Sequence, residues 1–522
     1  MLRLLPSVSI LMFLVVVLPA CEKPDTFSAR QRPLNENVLR YDVAAPFTSL
    51  DPTQVELSGS NHVFPLLYSY LFVPNTEGKL EPDLARKWTY DSKTFTWTIY
   101  LREDARFHNK QPVTSRDVVY TFHKNTLSYL SDLIDHVSLV SNRAVGIRLK
   151  KDDREFLSKI WDMEILPCTH QGANDYDKEP IGSGPFRFEA RKGNQEVVLA
   201  DNEDYFNGRP SLDRVIFYFQ PNKEKSWTRL LSGETDIVQE ISPKNYEIMH
   251  QYEKEYYFDL YPLPWYTILL YNTSDPLFSD SRVRRALSHA FDRTYIVKNI
   301  LRGLGKAAVG PMGVDSPFHN PAVKTAAYAP KKGLRCLKER GWSNGKAGDY
   351  LTKDGKPFEF TLLVFQESQI EKKVAQYVQL CLNDLGIKVH LQLLPFSELK
   401  KRYGRNTAFQ AVLTEFHGAY RDPECIGSLW APDLFKRSEA GSFEHPDVTR
   451  LIHEALNETD PGRQKELFYD IDALIASLQP GTFLFHKTAI DVMSKRFNIP
   501  FPFSLTHEGI WRLKHASLDP HY

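Results

Sequence analysis

The stretch FEFTLLVF, residues 358–365, is an apolar run of strand length, and the residues that follow it decide the fold. An amphipathic helical pattern covers residues 371–385 and stops at Gly386, and residues 388–394 then alternate as a second strand. A strand, a helix and a strand with short connections predict a βαβ unit with parallel strands. We therefore expect an α/β fold.

A further strand is predicted shortly after this unit, over residues 409–416. It runs into a loop at residues 418–423. In open α/β sheets, ligands bind in crevices beyond the carboxyl ends of the strands. This loop is therefore a candidate wall of a binding site.

Two segments nearer the N-terminus carry clear local signals. Residues 94–101, TFTWTIYL, alternate strictly, which places Phe95 and Trp97 on one apolar face and predicts a half-buried strand. Thr114 is followed three residues later by Asp117 and then by apolar residues. This spacing predicts a helix that begins with a capping box.

Two more helix starts are predicted in the middle of the chain. Asp280 and Asp292 each precede apolar residues at helical spacing, and Gly303 is expected to end the second helix. Arg282, Arg284 and Arg285 lie in the first of these helices. We interpret them as a helix surface that contacts a partner.

The composition is that of an ordinary globular protein. Of 522 residues, 42% are hydrophobic and 25% are charged, and about 100–200 residues per domain would give two to four domains. Lys plus Arg and Asp plus Glu both number 65. Because there is no net positive charge, neither nucleic acid nor an anionic membrane surface is a favoured partner.

The five cysteines do not show the spacing of a metal or redox centre. None of them forms a C-x-x-C pair. Cys381 falls at an apolar helical position and is predicted to lie in the core. The sequence leaves open whether Cys168, Cys336 and Cys425 are paired.

The N-terminus has the organisation of an export signal. Arg3 precedes an apolar stretch at residues 8–18, which is shorter than the roughly 20 residues of a transmembrane helix. Residues 1–20 are therefore predicted to be a signal peptide. The stretch ends at Cys21 and resembles a bacterial lipobox, so we expect Cys21 to be acylated and residues 21–37 to form a polar tether. The alternatives are an uncleaved anchor, or export with Cys21 unmodified.

Motifs along nearly the whole chain beyond the tether point to one family. They are Leu84-Ala85-x-x-Trp88, Thr96-Trp97-Thr98-Ile99-Tyr100-Leu101-Arg102, Phe107-His108, Pro112-Val113-Thr114, Asp117-Val118-Val119, Gly182-Ser183-Gly184-Pro185-Phe186, Leu231-x-Gly233-Glu234-x-Asp236-Ile237 and Arg282-Val283-Arg284-Arg285-Ala286-Leu287. Together they resemble the oligopeptide/dipeptide-binding family of extracellular solute-binding proteins, which serve ABC importers. The glycines at 182 and 184 are interpreted as a tight connection that tolerates positive φ.

The resemblance implies a two-lobed clamshell with an additional α/β domain inserted into the first lobe. The expected ranges are 38–62, 178–272 and 488–522 for lobe I, 63–177 for the inserted domain and 273–487 for lobe II. The chain is expected to cross between the lobes near Asn272 and near Phe485, which would form the hinge. A ligand between the lobes would favour the closed arrangement.

The resemblance also indicates how a ligand is held. Members of this family fix the α-amino group of a peptide with an Asp in the loop after the strand, where this sequence has Ala419 followed by the matching Tyr420. They also tend to carry an Arg in the preceding strand, where this sequence has Leu413. A buried ammonium without a carboxylate is costly. Either Glu415 or Asp422 replaces the missing Asp, or the ligand presents no free amine here.

The aromatic residue beside the pocket in this family corresponds to Phe416, which reads equally well as a core residue that closes a strand. The residues expected to contact the ligand are Glu415, Phe416, His417, Gly418, Ala419, Tyr420, Asp422 and Tyr129.

We find no motif for catalysis. Gly182-Ser183-Gly184 lacks the G-x-S-x-G pattern of a nucleophile elbow, and His453 and His507 start like H-E-x-x-H but lack the second His. We therefore expect neither an enzyme nor a cofactor.

Three functions remain open. The first is the capture of peptides by a monomer that delivers them to ABC permease and ATPase subunits. The second is a carrier of a metal chelate or haem, with His417 and His62 as the groups to test. The third is a lipoprotein that binds a partner without serving a transporter. Neighbouring genes for two permeases and two ATPases would separate the first two from the third.

Anchoring through Cys21 is directly testable. We expect Cys21→Ala to move the protein from the membrane pellet into the soluble extracytoplasmic fraction, because the acyl chains on that residue would be its membrane attachment. Cell fractionation followed by an alkaline wash measures this. A variant that stays in the washed pellet would contradict the lipoprotein prediction.

Overall fold

The computed structural model describes residues 36–54, 59–75, 79–124, 128–154, 156–168, 176–345, 350–403, 409–418, 425–431, 443–458, 460–499 and 510–519. The predicted signal peptide, Cys21 and nearly all of the tether lie outside these residues. None of the helices in this part of the chain is long and apolar enough to cross a bilayer. The four cysteines described, at positions 168, 336, 381 and 425, are free thiols.

The helices are numbered in chain order. They are α1 Phe64–Leu67, α2 Ser115–Lys124, α3 Ser128–Leu133, α4 Lys223–Leu231, α5 Pro243–Met249, α6 Ser281–Ser288, α7 Arg293–Tyr295, α8 Pro330–Lys338, α9 Gln369–Asp384, α10 Phe396–Tyr403, α11 Cys425–Trp430, α12 Pro446–Asn457 and α13 Pro461–Leu478. Short 3₁₀ turns cover Gly59–His62, Phe156–Lys159, His250–Tyr252 and Trp511–His515, and a π-helical turn covers Ile296–Ile300.

The strands are numbered in the same way. They are β1 Val38–Val43, β2 Phe72–Pro74, β3 Leu80–Pro82, β4 Ala85–Asp91, β5 Thr96–Leu101, β6 Ile134–Ser141, β7 Ala144–Leu149, β8 Phe186–Lys192, β9 Glu196–Asp201, β10 Arg214–Phe219, β11 Ile237–Val238, β12 Tyr256–Tyr271, β13 Gly305–Ala307, β14 Ser343–Asn344, β15 Leu351–Lys353, β16 Lys356–Pro357, β17 Glu359–Phe365, β18 Lys388–Leu394, β19 Ala411–His417, β20 Gly481–Ser494, β21 Phe497–Asn498 and β22 Ser517–Leu518.

One mixed sheet runs through most of the molecule, in the order β18-β17-β19-β12-β20-β11-β1-β10-β9-β8, with β13 also on β20. β17 pairs in parallel with β18 and β19, and α9 connects β17 to β18. The predicted βαβ unit is therefore confirmed. β1 pairs in parallel with β10 and β11, so each half of the sheet contains its own parallel group.

A smaller sheet, β4-β5-β7-β6, has a hydrophobic core of its own. The start of its helix α2 follows the predicted capping box in part, since the Asp117 carboxylate accepts the Thr114 N–H and hydroxyl, both at 2.7 Å. Phe95 differs from the prediction. It has φ of 52° and lies in the turn before β5 rather than on the strand face, because a positive φ cannot continue a strand.

The predicted helix starts at Asp280 and Asp292 are confirmed, because both carboxylates accept backbone N–H groups of the first turn. The second helix changes to a π-helical turn over Ile296–Ile300. Gly303 follows it with φ of 85°, as expected of a glycine that ends a helix.

Arg284 is not a surface residue, contrary to the prediction. It is 4% exposed, and its guanidinium donates to the carbonyls of Phe278, Leu478 and Gln479 at 2.5–2.7 Å. The last two carbonyls lie at the carboxyl end of α13. A buried cation there satisfies orphan carbonyls and opposes the negative end of the helix dipole.

Gly182 and Gly184 are required for a reason other than positive φ. Neither glycine has a positive φ. A Cβ on Gly182 would instead stand 1.8 Å from the Leu67 carbonyl oxygen, and one on Gly184 would stand 2.5 Å from that of Leu66. The motif therefore allows two backbone segments to approach closely.

Candidate functional site

Two long strands connect the halves of the large sheet. β12 and β20 pair antiparallel along most of their length, but the register breaks between Pro262 and Tyr266. Pro262 and Pro264 have no N–H to donate, which explains the interruption of the ladder here. Phe485 lies beside the break, whereas Asn272 directly follows the far end of β12. The predicted domain and lobe boundaries stay predictions.

The carboxyl ends of both parallel groups meet near this break. β1 and β11 lie on one side, next to β20, and β17 and β19 lie on the other side, next to β12. A crevice outside strand carboxyl ends is the usual position for a ligand in such sheets. The break in the β12–β20 ladder therefore marks the candidate site.

A lysine on β20 lies at the centre of this region. The Lys487 ammonium forms an ion pair with Glu415 of β19, and the Thr267 hydroxyl of β12 donates to the same carboxylate at 3.2 Å. The ion pair is partly buried, so water screens it less than a surface pair. The negative charge of Glu415 is therefore already compensated by Lys487.

The positive charge of Lys487 also acts to lower the pKa of two further carboxyl groups, those of Glu371 and Glu240. Burial raises the pKa of Glu371, at the start of α9, to about 8, and the negative charge of Glu415 adds to this while Lys487 opposes it. Burial would also raise the pKa of Glu240, after β11, but Lys223 at 3.0 Å and Lys487 together hold it below its usual value. Lys487 thus links groups from both halves of the sheet.

Two aspartates face each other across the same two strands. Asp259 of β12 is the direct partner of Asp491 of β20, and they are 8% and 0% exposed. Burial raises the pKa of both, for Asp491 to about 7. The carboxylate of Asp491 accepts the N–H of Glu240 at 2.9 Å, which attaches the Glu240 segment to the crossing strand.

The residues proposed from the sequence are described only in part. Phe416 is 3% exposed and packs in a core with Tyr266. His417 meets the half-exposed Trp265 edge-to-face, with ring centroids 5.0 Å apart. Gly418 ends the described part of this segment.

The other proposed residues cannot be placed against a ligand. Ala419, Tyr420 and Asp422 lie outside the described residues, and so does the side chain of Tyr129 on α3. Of the two carboxylates proposed to replace the missing Asp, Glu415 is the one that is described. Its engagement with Lys487 makes it less available to a ligand cation.

Sequence reasoning missed the charged residues at the centre of the site. These are Glu240, Asp259, Glu371, Lys487 and Asp491. A usable signal existed for three of them, because Asp259, Lys487 and Asp491 interrupt otherwise apolar strand sequences. A charged residue within an apolar strand indicates a functional site more strongly than a charged residue on the surface does.

The profile of the bacterial extracellular solute-binding proteins, family 5 (middle) matches residues 79–432. The chain belongs to this family. The match includes every strand of the smaller sheet and continues through β19 to α11.

Three relatives show the range of this solute-binding family. The oligopeptide-binding protein AppA of Bacillus subtilis is 26% identical over 92% of this chain and 93% of its own length. The nickel-binding periplasmic protein of Escherichia coli is 24% identical over 81% and 84%. Heme-binding protein A of Haemophilus influenzae is 22% identical over 80% and 81%.

Solved structures of the family confirm the α/β clamshell fold. NikA from Brucella suis, in complex with Fe(III)-EDTA, superposes with a TM-score of 0.82 at 23% identity, over 92% of this chain and 100% of that one. AppA in complex with a nonapeptide superposes with a TM-score of 0.76 at 23% identity, over 92% and 99%. Within the residues that the structure describes, no group of three or more His, Cys, Asp or Glu side chains could hold a metal ion.

The Asp259–Asp491 pair makes the stability of this solute-binding protein depend on pH. Asp491 keeps its proton in the folded state up to about pH 7, whereas the unfolded chain loses it near pH 4. The folded state binds more protons in this window, so stability falls as pH rises through it. We expect Asp491→Asn to flatten this slope and to raise the free energy of unfolding at pH 8 by roughly 2–4 kcal/mol.

Denaturant unfolding at pH 4–8 measures this effect. The Asn side chain keeps an oxygen that can accept the Glu240 N–H. Asp384→Asn makes the same chemical change at an exposed position on α9 and should leave the slope as it is in the wild type. If the pH dependence of the free energy of unfolding is unchanged in Asp491→Asn, the Asp491 carboxyl group is not protonated in the folded protein.

Proposed function

We propose that this protein captures short peptides outside the cytoplasm, holds them between its two lobes and delivers them to an ABC importer without changing them chemically. It would act as a monomer attached to the membrane through acylated Cys21. The observation that carries the proposal is the set of groups around Lys487, which comes from both halves of the sheet and contains both signs of charge.

Charge balance favours a peptide over an anionic chelate. Among the described residues, Lys487 and Lys223 face the three carboxyl groups of Glu240, Glu371 and Glu415. This arrangement offers no surplus of positive charge to a carboxylate-rich chelate. A zwitterionic peptide carries no net charge, so a site without a surplus of positive charge suits it better than it suits an anionic chelate.

Sequence similarity supports the same choice. AppA is more similar to this chain, over a larger share of both chains, than the nickel-binding and heme-binding relatives. Peptide recognition in clefts relies on backbone hydrogen bonds and on a few charged groups that fix the ends. The interrupted β12–β20 ladder lies where such bonds would form.

A carrier of a metal chelate is the second candidate. Its support is the TM-score of 0.82 with NikA and the position of His417 against Trp265. His62 lies on the β1 side of the site, with its ring 5.6 Å from that of Tyr41, and its charge acts on Glu240. No metal-binding group links these two histidines in the described residues, so such a carrier would have to recognise the chelate rather than the bare ion.

Native mass spectrometry of the purified full-length protein tests the proposal. We expect adducts with the masses of short peptides, which are lost on denaturation. Lys487→Met should lower peptide occupancy, because it leaves the carboxyl groups of the site without their shared cation. Lys388→Met, which removes an exposed lysine of β18 paired with Glu359, serves as the matched control and should keep full occupancy. Adducts that contain nickel or iron, without peptides, would contradict the proposal and favour the second candidate.

A further inference from the structure

Glu371 occupies an unusual position for the third residue of a helix. Ser368 and Glu371 have the spacing of a capping box, in which the Glu side chain returns to the backbone N–H of the first residue. The Ser half is formed, because the Ser368 hydroxyl oxygen accepts the Glu371 N–H at 3.2 Å. The Glu half is not formed as the pattern predicts. The carboxyl group accepts the N–H of Phe365 instead.

The carboxyl group of Glu371 is buried and incompletely satisfied. The residue is 5% exposed, and its Oε2 atom has no hydrogen-bond partner among the described residues. Leaving a buried polar oxygen unsatisfied costs about 1–3 kcal/mol. A glutamine could accept the same Phe365 bond without a titratable group. Helix capping therefore does not explain a carboxyl group at this position.

The position of Glu371 brings it into the candidate site. α9 follows β17 directly, so its first turn lies at the carboxyl ends of β17 and β19. The charged groups that act on Glu371 are Glu415 on β19 and Lys487 on β20. These two side chains are already paired with each other. Among these three side chains, the carboxyl oxygen without a hydrogen-bond partner is Oε2 of Glu371. Asp259 and Asp491 also have one such oxygen each, but these two residues face each other across β12 and β20.

We propose that Glu371 receives a cationic group of the ligand, of the class of a peptide α-ammonium, in place of the carboxylate that is missing at Ala419. This inference rests on the proposed function, because it names the group that would fix one end of a bound peptide. Glu415 cannot serve equally well, since its charge is compensated by Lys487.

Proton release follows from this role. Burial and the neighbouring Glu415 keep the Glu371 carboxyl group protonated in the free protein at neutral pH. An ammonium placed beside it would favour the carboxylate. The carboxyl proton would then pass to the solvent, and a charge-assisted hydrogen bond from the ammonium would form. Binding of a free peptide would release roughly one proton, whereas an N-acetylated peptide would release none.

Isothermal titration calorimetry at pH 6.5 tests this inference. The probes are alanine peptides of two to five residues and the same peptides with acetylated N-termini. At this pH the peptide amine is already charged, because its pKa is about 7.7–8.0. Each titration is run in phosphate and in bis-Tris, and the difference in apparent enthalpy gives the number of protons released. We expect release by the free peptides only, and a preference for them of about tenfold or more.

Two variants assign the proton. Glu371→Gln should abolish the release and most of the preference for the free amine. Glu164→Gln is the matched control, because burial also raises the pKa of Glu164 to about 8 but this residue bonds to Tyr70 in the region of the smaller sheet. It should release protons on binding as the wild type does. Circular dichroism would establish that both variants are folded.

The outcomes separate this inference from the function on which it rests. Binding of both peptide forms with equal affinity and no proton release would overturn the role of Glu371 and leave peptide binding in place. Proton release that persists in Glu371→Gln would also overturn the role of Glu371 and leave peptide binding in place, because the proton would then come from another group. If neither form binds to the wild type, both the peptide function and this inference are wrong. Should Glu371→Gln fail to fold, the wild-type titrations still test the inference, because the absence of proton release or of a preference for the free amine would overturn it.

Discussion

The pairing of β12 with β20, and its interruption at Pro262 and Pro264, is the constraint on which the rest of the structure depends. A continuous antiparallel ladder would hold the two halves of the sheet as one rigid surface. The prolines remove donors between the part of the ladder that β11 borders, at Val492 and Met493, and the part that β19 borders, from Trp265 onward. Ladder hydrogen bonds do not tie the two strands together there, and the carboxyl ends of both parallel groups point to the same place. The segment at residues 262–266 of β12 therefore determines both where the two halves of the sheet are joined and where the candidate site lies.

The charged groups at the break explain how a site of this kind can be stable without a ligand. Taking ions out of water is costly, and a buried charge persists only with a partner or a proton. Lys487 compensates Glu415 directly, whereas the side chain of Glu240 is about half exposed and pairs with Lys223. Glu371 and Asp491 avoid the cost by holding protons near neutral pH. The free site is close to electrically balanced, and a ligand cation changes that balance.

Local patterns allowed much of the fold to be predicted. The βαβ unit around α9 and the helix starts at Asp280 and Asp292 follow from periodicity and capping, which act over a few residues. The π-helical turn after Tyr295, the position of Phe95 and the burial of Arg284 could not be predicted in this way. Arg284 is buried because the end of α13, almost two hundred residues later, supplies its acceptors. The family resemblance identified the whole fold, because the family motifs include residues whose long-range contacts cannot be derived from local patterns in one sequence.

The site was predicted less well, because its members are distant in sequence. The strand-end segment at Glu415 to Gly418 was identified from the strand pattern and from the resemblance, but Glu240, Glu371 and Lys487 meet it only after the sheet has formed. The loop that carries Ala419, Tyr420 and Asp422 lies outside the described residues, so the role of those three stays a prediction.

Hydrogen exchange measured by mass spectrometry, with and without the alanine peptide that binds best, tests most directly the claim that a ligand is held between both halves at the β12–β20 break. We expect simultaneous protection of residues 237–242 after β11, residues 411–418 at β19 and the broken segment at 262–267. The amides of the smaller sheet, residues 85–101, should exchange at the same rate in both states. Protection confined to one half of the large sheet, or to the smaller sheet, would show that the ligand is not held between the two halves.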